Sequence, residues 1–171
     1  MKFDVLIIGA GKAGTAVAGE LQKKGLKCAL ITSGKSIHLC SQEQFVRDGG
    51  VFLQGDKVLG AEIVDGKVVS VETEKTGRIE AGTFVLCTGK FFAGGLVADM
   101  DRVYEPIFGL PVQYEQDRSK WFDSDFSKPQ PFMKFGVADS NPLKNLYLAG
   151  EILAGDVDII KSAEDVCRKI A

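Results

Sequence analysis

Histidine is almost missing from this chain: His38 is the only one in 171 residues. One imidazole excludes a His-built metal site and a Ser–His–Asp triad within a single chain. Its place, in the loop expected after the second strand, suits a surface residue. Cysteine is also sparse. Cys28, Cys40, Cys87 and Cys167 are scattered and show no metal-ligand spacing. They read as small buried hydrophobes of a reducing compartment, with Cys40, in a polar loop, the one candidate for a reactive thiol. Charge bias is lacking as well, since 21 basic and 23 acidic side chains leave a net −2. Without a basic run there is no electrostatic footprint for nucleic acid. No apolar run is long enough to span a bilayer. The N-terminus enters a strand almost at once, which leaves no room for a signal peptide and points to a cytoplasmic chain. What is present is ordinary: 45% hydrophobic and 26% charged residues. That suffices for one domain over residues 1–171 with a core that needs no staples.

The most informative stretch is DVLIIGAGKAG, Asp4 to Gly14. Val5 to Ile8 is a continuous apolar run, as in a central parallel strand covered on both faces. Gly9, Gly11 and Gly14 occupy the three positions of a dinucleotide fingerprint. The first allows a tight turn, the second a close approach of backbone to pyrophosphate, and the third close packing of helix on strand. The helix N-terminus adds free N–H groups and a partial positive charge for the anion. Ala13, Val17 and Leu21 recur at helical spacing, Gly25 ends the helix, and a second strand follows at Cys28 to Ile31. An acidic residue is expected at the end of that strand, where it accepts hydrogen bonds from ribose hydroxyls. Thr32 stands there instead, followed by Ser33, Gly34 and Lys35. Three readings fit: a weakened ribose contact for a flavin nucleotide, an NADP site using Ser33 and Lys35, or a plain polar loop.

From Gly50 the pattern turns to β. Val51 to Leu53 is a short strand, Lys57 to Val64 and Val68 to Val71 flank the turn dipeptide Asp65-Gly66, and Gly77 leads into a strand around Ile79. This is a three-stranded antiparallel meander. Phe84 to Cys87 is a further strand, and its exit, Thr88-Gly89, is expected to face the same crevice as the first glycine turn. Near the end, NLYLAGEILAG repeats the scheme with Gly150 and Glu151 after a strand. The last helix presents Ile159, Ala163, Val166 and Ile170 on one face, with Asp156 or Asp158 as N-cap. Between these parts, 104–142 is irregular and aromatic-rich, with Tyr114, Trp121, Phe122, Phe126, Phe132 and Phe135. It reads as a cap, a docking surface or an ordinary packed loop region. Asp117, Asp123 and Asp125 within it read as solvated.

In order, the glycine turn, meander, TG loop and final GE strand resemble the FAD-binding domain of the glutathione-reductase-type flavoproteins. The stretches CTGKFFAGGLVADMDRVYEPIFGLPV and KPQPFMKFGV are similar to the C-terminal half of the B-type subunits of anaerobic glycerol-3-phosphate dehydrogenases. MKFDVLIIGAGKAG and LQKKGLKCALIT are similar to that family's start. The resemblance implies an α/β fold, a Rossmann-like parallel sheet carrying an inserted three-stranded antiparallel meander. It implies FAD as cofactor, with FMN and NADP as alternatives. Gly9, Gly11, Lys12, Ala13 and Gly14 would contact the pyrophosphate, and Val58 would lie beside the adenine. Thr88 and Gly89 would line the crevice, and Gly150 and Glu151 would approach the ribityl chain. The implied activity is that of a flavin-dependent oxidoreductase subunit. It would oxidise glycerol 3-phosphate to dihydroxyacetone phosphate and pass electrons to a quinone through partner redox subunits at the inner membrane. Two departures set limits. The family's large substrate domain is absent, leaving only Ser36 to Gly50 in its place, and DVDIIKSAED replaces the glycine-rich start of the last helix. No residue stands out as a general acid or base. A non-catalytic nucleotide-fold scaffold and an NADP-binding protein are the alternatives, and the aromatic segment makes a homo-oligomer plausible.

Overall fold

Val5, Leu6, Ile7 and Ile8 are buried on both faces of strand β1 (Lys2–Ile8), the middle of a seven-stranded sheet. The computed structural model describes residues 1–34, 39–91, 94–100, 102–113, 127, 134–155 and 157–171, without the side chains of Leu39 and Cys40. After β1 the chain forms α1 (Lys12–Lys23), β2 (Cys28–Thr32), α2 (Leu39–Arg47) and β3 (Val51–Gln54). It continues through β4 (Val58–Val64), β5 (Lys67–Thr73) and β6 (Gly77–Leu86). The short hairpin β7 (Val97–Ala98) and β8 (Val103–Tyr104) follows, then β9 (Leu146–Leu148), a 3-10 turn (Gly150–Ile152) and α3 (Ile159–Ile170).

Strands β3, β2, β1, β6 and β9 run parallel, whereas β6, β5 and β4 are antiparallel. The expected meander is therefore present, with one difference. Its third strand and the strand at Phe84 are the same ten-residue β6, which pairs with β5 near its start and with β1 further along. Asp65 and Gly66, with φ of +51° and +74°, close the β4–β5 hairpin as a two-residue turn matched to the strand twist.

β6 changes partner along one edge: β5 lies beside Ser70↔Glu80, and β9 beside Phe84↔Leu146. Asn145 fills the gap between them. Its Oδ1 accepts the Val68 N–H at 2.8 Å, and its Nδ2 donates to the carbonyls of Val68 and Gly82 at 2.9 and 3.0 Å. The buried side-chain amide thus completes the ladder as a peptide unit would.

The period-two alternation of the strands divides the core. Val5, Ile7, Leu30 and Val85 face the helices and pack on Val17, Leu21, Phe45, Ala163 and Val166. Leu6, Ile8, Ile31, Phe84 and Leu86 face the meander and loops, against Val68, Val71, Ile79, Leu110 and Phe135. Phe135, expected in an irregular segment, is fully buried and meets Phe91 edge-to-face at 5.7 Å. The other aromatic and acidic residues singled out between Tyr114 and Phe132 lie outside the described residues, as does His38.

Helix α2 corrects the reading of Ser36–Gly50 as loop, and Cys40 belongs to it. Its sequence LCSQEQFVR is too polar to show an apolar stripe, yet Phe45 anchors it in the core. Gln22 Nε2 of α1 donates to the Phe45 carbonyl at 2.9 Å. Asp158 is the N-cap of α3, accepting the Lys161 N–H at 3.1 Å; Asp156 lies outside the described residues.

Candidate functional site

The three fingerprint glycines have three different surroundings. Gly9 has a φ of +106°, and a Cβ there would stand 2.3 Å from the Cys87 carbonyl oxygen. A Cβ on Gly14 would stand 1.7 Å from the Gly9 carbonyl oxygen. Both positions are closed by the protein's own backbone. At Gly11 a Cβ would meet nothing within 4 Å. The fold makes no demand for glycine there, so the reason for it is space left open on the crevice side. Gly11 is also the N-cap of α1, with no side-chain cap and no acidic residue in the first turn. The helix end is left for an external acceptor.

This turn opens onto a crevice of about 1000 Å³ beyond the carboxyl ends of β2, β1, β6 and β9. Gly9, Gly11, Lys12 and Ala13 line its middle. Thr32, Ser33 and Val58 line the β2 side, and Thr88, Gly89, Gly150 and Glu151 the β6–β9 side. Eleven of the thirteen residues singled out from sequence thus share one cavity, which makes it the candidate site. Gly14 sits behind the turn rather than in the lining, and Lys35 lies outside the described residues. Thr32 ends β2, and its Oγ1 accepts the Gly34 N–H at 3.4 Å.

Thr88 carries a second indication. Its Oγ1 is buried and has no hydrogen-bond partner among the described residues. A buried hydroxyl is ordinarily paired, so one left open on a cavity wall marks a place where a ligand or water completes it. Gly150, with φ +82°, brings the 3-10 turn so close that a Cβ would lie 2.7 Å from Ala13 Cβ. Its N–H donates to Ser162 Oγ at 2.9 Å, which ties α3 to the same corner.

Two buried carboxylates missed by motif reading shape the walls. Asp56, 3% exposed, lines the crevice beside Thr32, whose carbonyl accepts its N–H at 3.1 Å. Its carboxylate accepts from Thr73 Oγ1, the Lys75 N–H and the Thr76 N–H at 3.2, 2.8 and 3.1 Å. Burial pushes this group up, but the hydrogen bonds from Thr76, Lys75 and Thr73 together outweigh it and hold the pKa below the usual value. Glu105, 1% exposed, accepts the N–H groups of Ile107, Phe108 and Leu110 at 2.7, 2.8 and 3.3 Å. Here burial dominates and the pKa is raised. Glu105 fixes the loop whose Pro106 and Ile107 line the crevice. Neither contact has a sequence signal, because each depends on which turn the carboxylate meets.

Three thiols lie in the helix-side core. Burial raises Cys28 to about 12 and Cys167 to about 11, and raises Cys87 further still. They remain protonated packing groups. Among the described residues no cluster of three or more His, Cys, Asp or Glu is placed to hold a metal ion. No described helix is long and apolar enough to cross a membrane.

The model of the FAD binding domain family matches residues 4–42 and 37–164. The chain belongs to this family. Curated relatives include the B-type subunit of the anaerobic glycerol-3-phosphate dehydrogenase of Yersinia pseudotuberculosis, 36% identical over 133 residues, which are 71% of this chain and 31% of that protein. The same subunit from Glaesserella parasuis is 37% identical over 134 residues, 69% of this chain and 31% of that one. The chain spans about a third of the length of the curated relatives it matches. Among solved structures, thioredoxin reductase of T. acidophilum matches with a TM-score of 0.57 at 12% identity, over 99% of this chain and 96% of that one, and shares its fold. FAD is accordingly the cofactor of this FAD-binding domain. The crevice fits it: a pyrophosphate-sized opening at Gly11, an uncapped helix end and an open hydroxyl at Thr88 follow one another along its length.

Proposed function

We propose that the chain holds FAD along this crevice as the nucleotide-binding part of a flavin-dependent redox protein, akin to the B-type subunit of glycerol-3-phosphate dehydrogenase. The open position at Gly11, beside an uncapped helix and between two closed glycines, carries the reading. Gly9, Gly11, Lys12 and Ala13 contact the pyrophosphate, and Gly14 supports them from behind. Thr32, Ser33, Lys35 and Val58 serve the adenosine, with a neutral hydroxyl where an acid would bind more strongly. Thr88, Gly89, Gly150 and Glu151 serve the other arm. Bound flavin supplies the hydride and electron chemistry, and the protein supplies position and exclusion of water. Glycerol 3-phosphate is the proposed substrate, with contacts drawn from another chain or from sequence beyond these 171 residues. Electrons then leave through a partner redox subunit, with the chain in the cytoplasm at the membrane's inner face.

The test begins with the purified chain, incubated with FAD and freed of excess by gel filtration. A yellow protein with a flavin spectrum supports the reading, and a colourless one overturns it. Retention of NADP in place of FAD turns it to a nicotinamide nucleotide instead. Gly11→Ala sharpens the result: melting within about 1 kcal/mol of wild type, with FAD affinity reduced at least about tenfold. Gly14→Ala, by contrast, disrupts the fold.

A further inference from the structure

We infer that Gln42 is a positioning residue of the pyrophosphate cradle, holding the Ala10 carbonyl back toward the helices and thereby turning the Gly11 N–H into the crevice. The inference rests on the dinucleotide reading above and adds a residue from outside the fingerprint. Gln42 lies on α2 and is 2% exposed. Its Nε2 donates to the Ala10 carbonyl at 3.2 Å, and Thr15 Oγ1 of α1 donates to the same oxygen at 3.2 Å. A carbonyl can only accept, so the amide nitrogen must face it. Gln42 Oε1 is then left buried with no partner among the described residues.

That orphaned oxygen is a standing cost to the fold, and a methionine or leucine would fill the volume without it. What the glutamine adds is its one bond, and that bond fixes a single peptide plane. In a trans peptide the C=O and N–H point in opposite directions, and this chain has no cis bonds among its described residues. With the Ala10 oxygen drawn toward α1 and α2, the Gly11 N–H faces the opposite side. There Gly11 is exposed, and a Cβ would meet nothing within 4 Å. An N–H fixed in that direction donates to an anion without reorganising.

The test compares ADP, which carries a pyrophosphate, with adenosine, which does not. Gln42→Met removes the donor and the orphaned oxygen together while keeping length. We expect its ligand-free melting temperature to equal or exceed wild type, ADP to bind roughly three- to tenfold more weakly, and adenosine to bind as before. Thr15→Val, removing the second donor to Ala10, shows the same split and decides the matter alone if Gln42→Met does not fold. Wild-type ADP affinity in the folded variant, or equal losses for ADP and adenosine, overturns the inference and leaves the FAD reading intact. A wild-type chain that takes up neither ADP nor FAD overturns both.

Discussion

Asp56 and Glu105 do the same job at two walls of the crevice and do it in different electrostatic states. Each is almost wholly buried, and each gathers the N–H groups of a turn that would otherwise leave donors unpaired. Asp56 also receives the Thr73 hydroxyl, and its pKa falls below the ordinary value. Glu105 sits against Phe108 and Leu110 of the apolar core, receives only backbone donors, and titrates higher than usual. Burial alone does not set the charge of a carboxylate. The number and kind of donors converging on it decide whether desolvation prevails.

The contrast breaks most visibly on truncation. Glu105→Ala leaves three backbone N–H groups without an acceptor and opens a cavity, so a loss of about 3–4 kcal/mol is expected in denaturant unfolding. Asp56→Ala should cost a similar amount, about 3 kcal/mol, and loosen the β5–β6 turn. The amide replacements separate the pair. Asp56→Asn removes an anionic acceptor from donors that favour charge and should cost about 2 kcal/mol. Glu105→Gln keeps an acceptor without the charge and should cost less than about 1 kcal/mol. Equal costs for the two amides would end the distinction.

The smallest effect is in the pH dependence, and the two signs are opposite. Asp56 has a folded pKa below its ordinary 3.8, so its stabilisation is complete above that value and is lost as pH falls through the folded pKa. Glu105 has a folded pKa above its ordinary 4.5. The folded state then binds the extra proton, and stability declines as pH rises from 4.5 through the raised value. Stability against pH should therefore lose its acid-side fall in Asp56→Asn, and its decline above 4.5 in Glu105→Gln.

Much of the site was legible from residues alone. Gly9, Gly14 and the Asp65-Gly66 turn announce themselves because positive φ and close backbone approach are demands on a single position. The strands around Val5, Cys28 and Phe84 follow from apolar runs, and α1 and α3 from helical spacing. Helix α2 was not legible, because its nine residues carry one deep anchor, Phe45, in a polar setting. Gln42, Asp56, Glu105 and Asn145 look like any surface polar residue in the sequence.

The amino-acid sequence by itself determined the strand–turn–helix unit, the meander and the family to which they belong. Those depend on local sterics and on the periods of two and about 3.6 residues, which neighbouring positions supply. Only the tertiary structure decided which polar groups are buried and what they hold. Asn145 meets Val68 across 77 residues, and Gln42 reaches Ala10 across 32. Burial and partnership are properties of segments brought together by folding, and no one stretch of chain encodes both sides of such a contact.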